Sequence, residues 1–275
     1  MAAFAWRDGG TGFVEVAGLR LEAASFGPSP EAAPTVVMLH EGLGSVSLWR
    51  DFPARLARAT GFGVFAYSRA GYGQSDPAPL PFLLDYMTRE AMGPLPAVLD
   101  AIGFRKGILL GHSDGASIAL VYAGSVEDFR VRGLILIAPH VFTEPSGLAS
   151  IAEAKRAYDE GDLRPRLARY HKHVDNAFRG WNDAWLDPGF VAWNIADSVE
   201  YVRVPMLVVQ GADDQYGTIA QVREIEQRSY APVDLEILEG CRHSPHVEQP
   251  ERLLALITEF CVRLERIESA EVEIK

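Results

Sequence analysis

At 275 residues, 48% apolar and 10% aromatic, the chain is long and apolar enough to bury a large core, which excludes a disordered or low-complexity polymer. Its net charge of −11 excludes a nucleic-acid or anionic-membrane surface as the main partner, since both call for clustered lysine and arginine. Two cysteines, Cys241 and Cys261, are too few for a disulfide framework or a zinc site.

In chain order, Met1–Asp8 carries no charged leader followed by an apolar run, and no later stretch approaches the ~18 uncharged apolar residues of a membrane span, so a soluble cytoplasmic protein is expected. The runs Phe13–Val16 and Leu19–Phe26, with no helix between them, predict an antiparallel hairpin at the leading edge of a sheet. Further strands are predicted at Thr35–His40, Gly63–Tyr67, Gly107–Gly111, Leu134–Ala138, Met206–Gln210 and Leu235–Leu238. They are short, rich in Val, Ile and Leu, and separated by helical patterns, as in a mostly parallel sheet covered on both faces. Helices are expected from Phe52 to the stop at Gly61, through 82–101 with a break at Gly93-Pro94, from Thr218 to Gln227, and from Pro250 to Leu264. Between Ala138 and Val204 the alternation stops. The stretch 139–204 holds Trp181, Trp185, Phe190 and Trp193 among helix-like pieces, and predicts a helical insertion above the carboxyl ends of the strands, a cap on a core formed by 1–138 and 205–275.

The chemistry concentrates at Gly111-His112-Ser113-Asp114-Gly115, a Gly-x-Ser-x-Gly run between a predicted strand and the apolar helical segment Ala116–Ala123. A sharp strand-to-helix turn lifts a serine hydroxyl clear of the backbone, and flanking glycines let chain segments pass too closely for a Cβ. A serine hydroxyl is a weak nucleophile near neutral pH and needs a base that is itself oriented by a carboxylate. Gly211-Ala212-Asp213-Asp214 offers carboxylates after one strand, and Arg242-His243-Ser244-Pro245-His246 offers histidines after the next.

On four motifs in this order the chain resembles an α/β-hydrolase-fold serine hydrolase with a helical cap. They are His40-Glu41-Gly42-Leu43-Gly44, Ser68-Arg69-Ala70-Gly71-Tyr72-Gly73-Gln74-Ser75, the serine turn, and the Asp and His loops. The resemblance covers Thr35 to Arg266 and implies an eight-stranded, mostly parallel sheet with the cap inserted after strand six. It implies Ser113 as nucleophile, Asp214 as acid with Asp213 the alternative, and His243 as base in preference to His246, which would serve a helix start. The oxyanion hole would take the N–H of Asp114 and that of Gly42 or Leu43, the choice depending on how the loop is counted, because Glu41 replaces a usual glycine. Glu41 is expected to be solvent-facing or locally paired, and His40 and His112 to hold the surrounding loops.

Serine at 113 counts against the alkyl-enzyme chemistry of dehalogenases and epoxide hydrolases, which use aspartate there. The expected activity is acyl transfer on a small or medium carboxylic ester or lactone. A C–C bond hydrolase of a diketone and a ligand receptor that retains the triad are the other readings. No cofactor and no metal are expected, with His171-Lys172-His173 taken as an exposed helix face. The expected partner is a small-molecule substrate, with no nucleic acid and no membrane. Trp181, Trp185, Phe190 and Trp193 are candidates for an apolar substrate wall, with at least half of them expected only to pack the cap onto the core, and the basic run Arg164, Arg166, Arg169, His171, Lys172, His173 and Arg179 suits either a substrate carboxylate or a solvated surface.

Overall fold

The computed structural model describes residues 4–273, so Met1–Ala3 of the predicted leader-free start lie outside the described residues. The edge hairpin is formed by β1 (Gly10–Val16) and β2 (Leu19–Phe26), antiparallel to each other. Next come β3 (Thr35–Leu39), β4 (Gly63–Tyr67), β5 (Gly107–His112), β6 (Val131–Ile137), β7 (Met206–Gly211) and β8 (Val233–Leu238). The sheet order is β1-β2-β4-β3-β5-β6-β7-β8, with β2 antiparallel to β4 and every later pairing parallel.

Because side chains alternate across a strand, each central strand feeds two cores. Val36, Met38, Ile108, Leu110, Ile135 and Ile137 pack with α1 (Phe52–Thr60) on one face. Val37, Leu39, Leu109, Leu134 and Leu136 face the other, under α2 (Tyr86–Met92), α3 (Pro94–Ala101) and α4 (Asp114–Ser125). The predicted break at Gly93-Pro94 is real: Gly93 ends α2 and Pro94 opens α3.

Between β6 and β7 the chain forms α5 (Pro145–Asp159), α6 (Leu163–Leu167) and α7 (Val174–Trp185), then two 3-10 turns at Pro188–Ala192 and Ala196–Tyr201. After β7 come α8 (Ile219–Arg228), capped by the Thr218 side chain, the single turn α9 (Pro245–Glu248) and the long α10 (Pro250–Glu273). The last helix outruns its predicted end at Leu264, where the buried apolar stripe stops. Beyond that point Lys106 pairs with Glu265 and Glu268, and Arg132 also with Glu268, so charge rather than burial holds the extra turns to the sheet. Among the described residues no helix is long and apolar enough to cross a membrane.

Candidate active site

Ser113 stands between the last residue of β5 and the first of α4 with φ 54° and ψ −119°, a conformation that side-chain-bearing residues rarely adopt. The turn is held on both sides. Ser113 N–H donates to Ile137 O at 2.9 Å, and its carbonyl accepts from Ala116 N at 2.8 Å. A Cβ at Gly111 would lie 2.2 Å from Gly115 O, and one at Gly115 would lie 2.1 Å from Leu39 O, so neither position admits a side chain. The sequence pattern is therefore a packing requirement of the turn as well as a motif.

The two later loops bring an acid and a histidine together. Asp214, its side chain 1% exposed, accepts His243 Nδ1–H at 2.9 and 2.8 Å on its two oxygens, Gln210 Nε2 at 2.9 Å and Tyr216 N at 2.8 Å. Burial alone would raise its pKa, but the charge and hydrogen bond of His243 and the Tyr216 N–H reverse this and hold it at about 2. A carboxylate has no proton to give, so Nδ1 is the donor, and in the neutral ring the lone pair is then on Nε2. That nitrogen has no protein partner among the described residues. Asp213, one residue earlier, is exposed and points no side-chain hydrogen bond at either histidine.

Ser113, Asp114 and His243 line one cavity of about 90 Å³, together with Glu41, Gly42 and Leu43 of the loop after β3. The backbone N–H groups of Asp114, Gly42 and Leu43 have no protein acceptor among the described residues. From α7, Trp181 and Trp185 line the same cavity. Gly42 is glycine because of Trp181, whose Nε1 would lie 2.2 Å from a Cβ there. Gly42→Ala should cost about 1–3 kcal/mol through overpacking, read as a lower urea midpoint. Trp181→Ala in the same background should recover much of it; additive losses would mean the two do not meet.

Phe190 and Trp193 are not on the cavity wall. They stack on each other at 5.3 Å, and Phe190 is fully buried behind Trp185, so they buttress the wall instead of forming it. His171 is not on an exposed face either. It is 2% exposed, accepts Gly73 N–H on Nδ1 at 3.0 Å and donates from Nε2 to Leu43 O at 3.0 Å, tying the insertion to the loop beside the cavity. The basic run lies outside the cavity: Arg164 pairs with Asp175, Arg166 with Asp162 and Arg179 with Asp159, on the surface.

His40 and His112 do hold loops. His40 accepts Arg69 N–H at 3.0 Å, and His112 Nε2 donates to His243 O at 2.7 Å with Glu41 Oε2 3.4 Å from its other nitrogen. His246 does not cap a helix. It packs on Trp49 and His112, with ring centroids at 4.8 and 5.0 Å. Sequence reasoning missed a buried chain beneath the cavity, in which Trp185 Nε1 donates to Tyr86 Oη at 2.9 Å and Tyr86 donates to Asp114. Burial raises the Asp114 carboxyl, against the opposing charge of Arg69.

Burial draws the pKa of His140 down to about 4, and burial with the charge of His112 draws that of His246 down to about 3. Between those values and 6.5 the unfolded chain binds protons that the folded chain refuses, so their contribution is whole above 6.5 and lost as pH falls. His112 runs the other way: burial would lower it, but Glu41 overcomes this and raises it, so its contribution fades only as pH climbs through that raised value. The unfolding free energy read from urea titrations should fall by about a few kcal/mol from pH 6.5 toward 4, and His246→Phe should flatten the fall. Identical slopes in the two proteins would contradict a neutral buried His246.

Residues 36–256 match the model of the Alpha/beta hydrolase family. The chain is 33% identical over 252 residues to epoxide hydrolase B of Mycobacterium tuberculosis, covering 88% of this chain and 67% of that one. It is 23% identical over 266 residues to a proline iminopeptidase of Lactobacillus helveticus, covering 82% and 89%. Among solved structures it is similar to the enol-lactonase of Burkholderia xenovorans, with TM-score 0.72 and 20% identity over 91% of this chain and 100% of that one. The sheet order, the strained serine turn and a family match over most of the chain agree: the protein belongs to the alpha/beta hydrolase family.

Proposed function

We propose that the protein is a serine hydrolase that cleaves a small or medium carboxylic ester or lactone through an acyl-enzyme intermediate. The observation that carries this reading is the bond from His243 Nδ1 to an ionised Asp214, which leaves Nε2 free as a base in the same small cavity as the strained Ser113. His243 takes the Ser113 proton as Oγ attacks the carbonyl, and Asp214 stabilises the imidazolium. The oxyanion is met by the N–H of Asp114 and by that of Gly42 or Leu43. His243 then protonates the leaving alkoxide, and a water activated by the same nitrogen releases the acid.

No step needs a cofactor. The segment 139–204 acts as a cap that excludes water above Ser113, and Trp181 and Trp185 supply its inner surface. Serine in place of aspartate at the attacking position separates this chain from the chemistry named for its epoxide hydrolase relative. The fold neighbour named as a lactonase is compatible with it. The reading is tested by incubating the protein with an activated short-chain aryl ester. Release should depend on Ser113; equal release by wild-type and Ser113→Ala would leave a binding protein instead.

A further inference from the structure

His140 lies on the cavity wall, yet the serine chemistry gives it nothing to do. It follows β6 and is 4% exposed. Its backbone is pinned: the carbonyl accepts Ser117 Oγ–H at 2.6 Å, and the next N–H, of Val141, donates to Gln221 Oε1 at 2.8 Å. The ring is pinned as well. It sits edge-on to Trp185 at 5.4 Å, and a Cβ at Gly217 would come within 2.9 Å of its Cε1.

Neither ring nitrogen has a hydrogen-bond partner among the described residues. Unlike the Nδ1 atoms of His112 and His246, however, they are not sealed in by protein. A fixed polar edge left without a protein partner is costly unless something in the cavity completes it. Burial keeps the ring neutral near pH 7, so one nitrogen donates and the other accepts.

The rest of the lining limits what that something is. Leu43, Ile151, Trp181 and Trp185 are largely apolar, and no lysine or arginine lines the cavity among the described residues. Two carboxyl groups, Glu41 and Asp114, stand on the wall; burial would raise Glu41, but the hydrogen bond and charge of His112 hold its pKa far below the ordinary carboxylate range. An anionic substrate would be stripped of water beside a carboxylate with no cation to meet it.

Resting on the serine-hydrolase reading above, we infer that His140 is a specificity-determining residue that hydrogen-bonds a second, uncharged oxygen of the substrate. The substrate class is then small, neutral and oxygenated, a hydroxy, alkoxy or keto ester or a lactone, and not a carboxylate-bearing or purely hydrocarbon ester. The cavity of about 90 Å³ leaves room for only a few heavy atoms beyond the ester group.

The test compares the isosteric methyl esters butanoate, methoxyacetate and 3-hydroxypropanoate with the anionic monomethyl malonate. For wild-type, His140→Phe and His140→Gln, kcat/KM is read by proton release, and the ratio between enzymes cancels each ester's intrinsic reactivity. His140→Phe should lose on the order of tenfold more on the oxygenated esters than on butanoate. His140→Gln, which keeps a donor and an acceptor, should lose less, and monomethyl malonate should be the poorest substrate of wild-type.

A second measurement does not need turnover. Quenching of tryptophan fluorescence should show the oxygenated esters binding Ser113→Ala about tenfold more tightly than Ser113→Ala/His140→Phe. Equal losses on all neutral esters, equal binding to the two Ser113→Ala proteins, or malonate turned over as well as butanoate would overturn the inference. Absence of Ser113-dependent turnover with His140-dependent binding intact would instead overturn the serine-hydrolase reading alone.

Discussion

Ser113→Ala is expected to lower kcat/KM for a short-chain aryl ester by roughly ten-thousandfold to a millionfold, and His243→Ala by a similar factor. On the proposed mechanism the hydroxyl is the attacking atom and Nε2 of His243 is its base, so neither would do useful work without the other. The double variant should therefore be hardly slower than either single one. Residual turnover would come from the N–H groups of Asp114 and of the Gly42–Leu43 loop, which still bind the developing oxyanion. Steady-state rates of the four proteins of this cycle measure the coupling. Losses that multiply would mean that serine and histidine act in separate steps.

Asp214→Asn should be almost as damaging, lowering kcat by roughly ten-thousandfold, while Asp213→Asn should change it by less than about threefold. Asp214 is buried, ionised and bonded to His243 Nδ1 through both oxygens. An amide there would leave Nδ1–H poorly paired and favour the tautomer whose Nε2 carries the proton, which cannot act as base. Asp213 is exposed, and only its backbone N–H is engaged, with Cys241 O at 2.9 Å. Comparable losses at the two positions would mean that the loop, not the carboxylate at 214, matters.

The sheet was legible because its central strands are buried on both faces and so read as uninterrupted apolar runs between turn signals. The Ser113 turn was legible for a different reason: its glycines are forced by contacts only a few residues away, which leave a local pattern. The helical character of 139–204 was legible, but not which of its aromatic side chains turn toward the cavity. Aromatic content announces burial, yet nothing in the residues distinguishes Trp181 and Trp185, which face the cavity, from Phe190 and Trp193 behind them.

What escaped the sequence is what depends on distant partners. His171 meets Leu43 across 128 residues, His112 meets His243 across 131, and Trp185 meets Tyr86 across 99. No local spacing encodes such contacts. His171, in the polar run His171-Lys172-His173, reads as surface until the fold carries it inward. Glu41 was expected to face solvent or pair locally; its partner is instead the distant His112, and it lies on the cavity lining.

The central claim is that Ser113 is acylated with His243 as its base, and mass spectrometry of the quenched enzyme tests it most directly. After brief exposure to an activated ester and an acid quench, peptide mapping should find the acyl group on Ser113, and should find none on His243→Ala treated in the same way. An acyl group on another residue, or label on Ser113 that forms equally fast without His243, would contradict it.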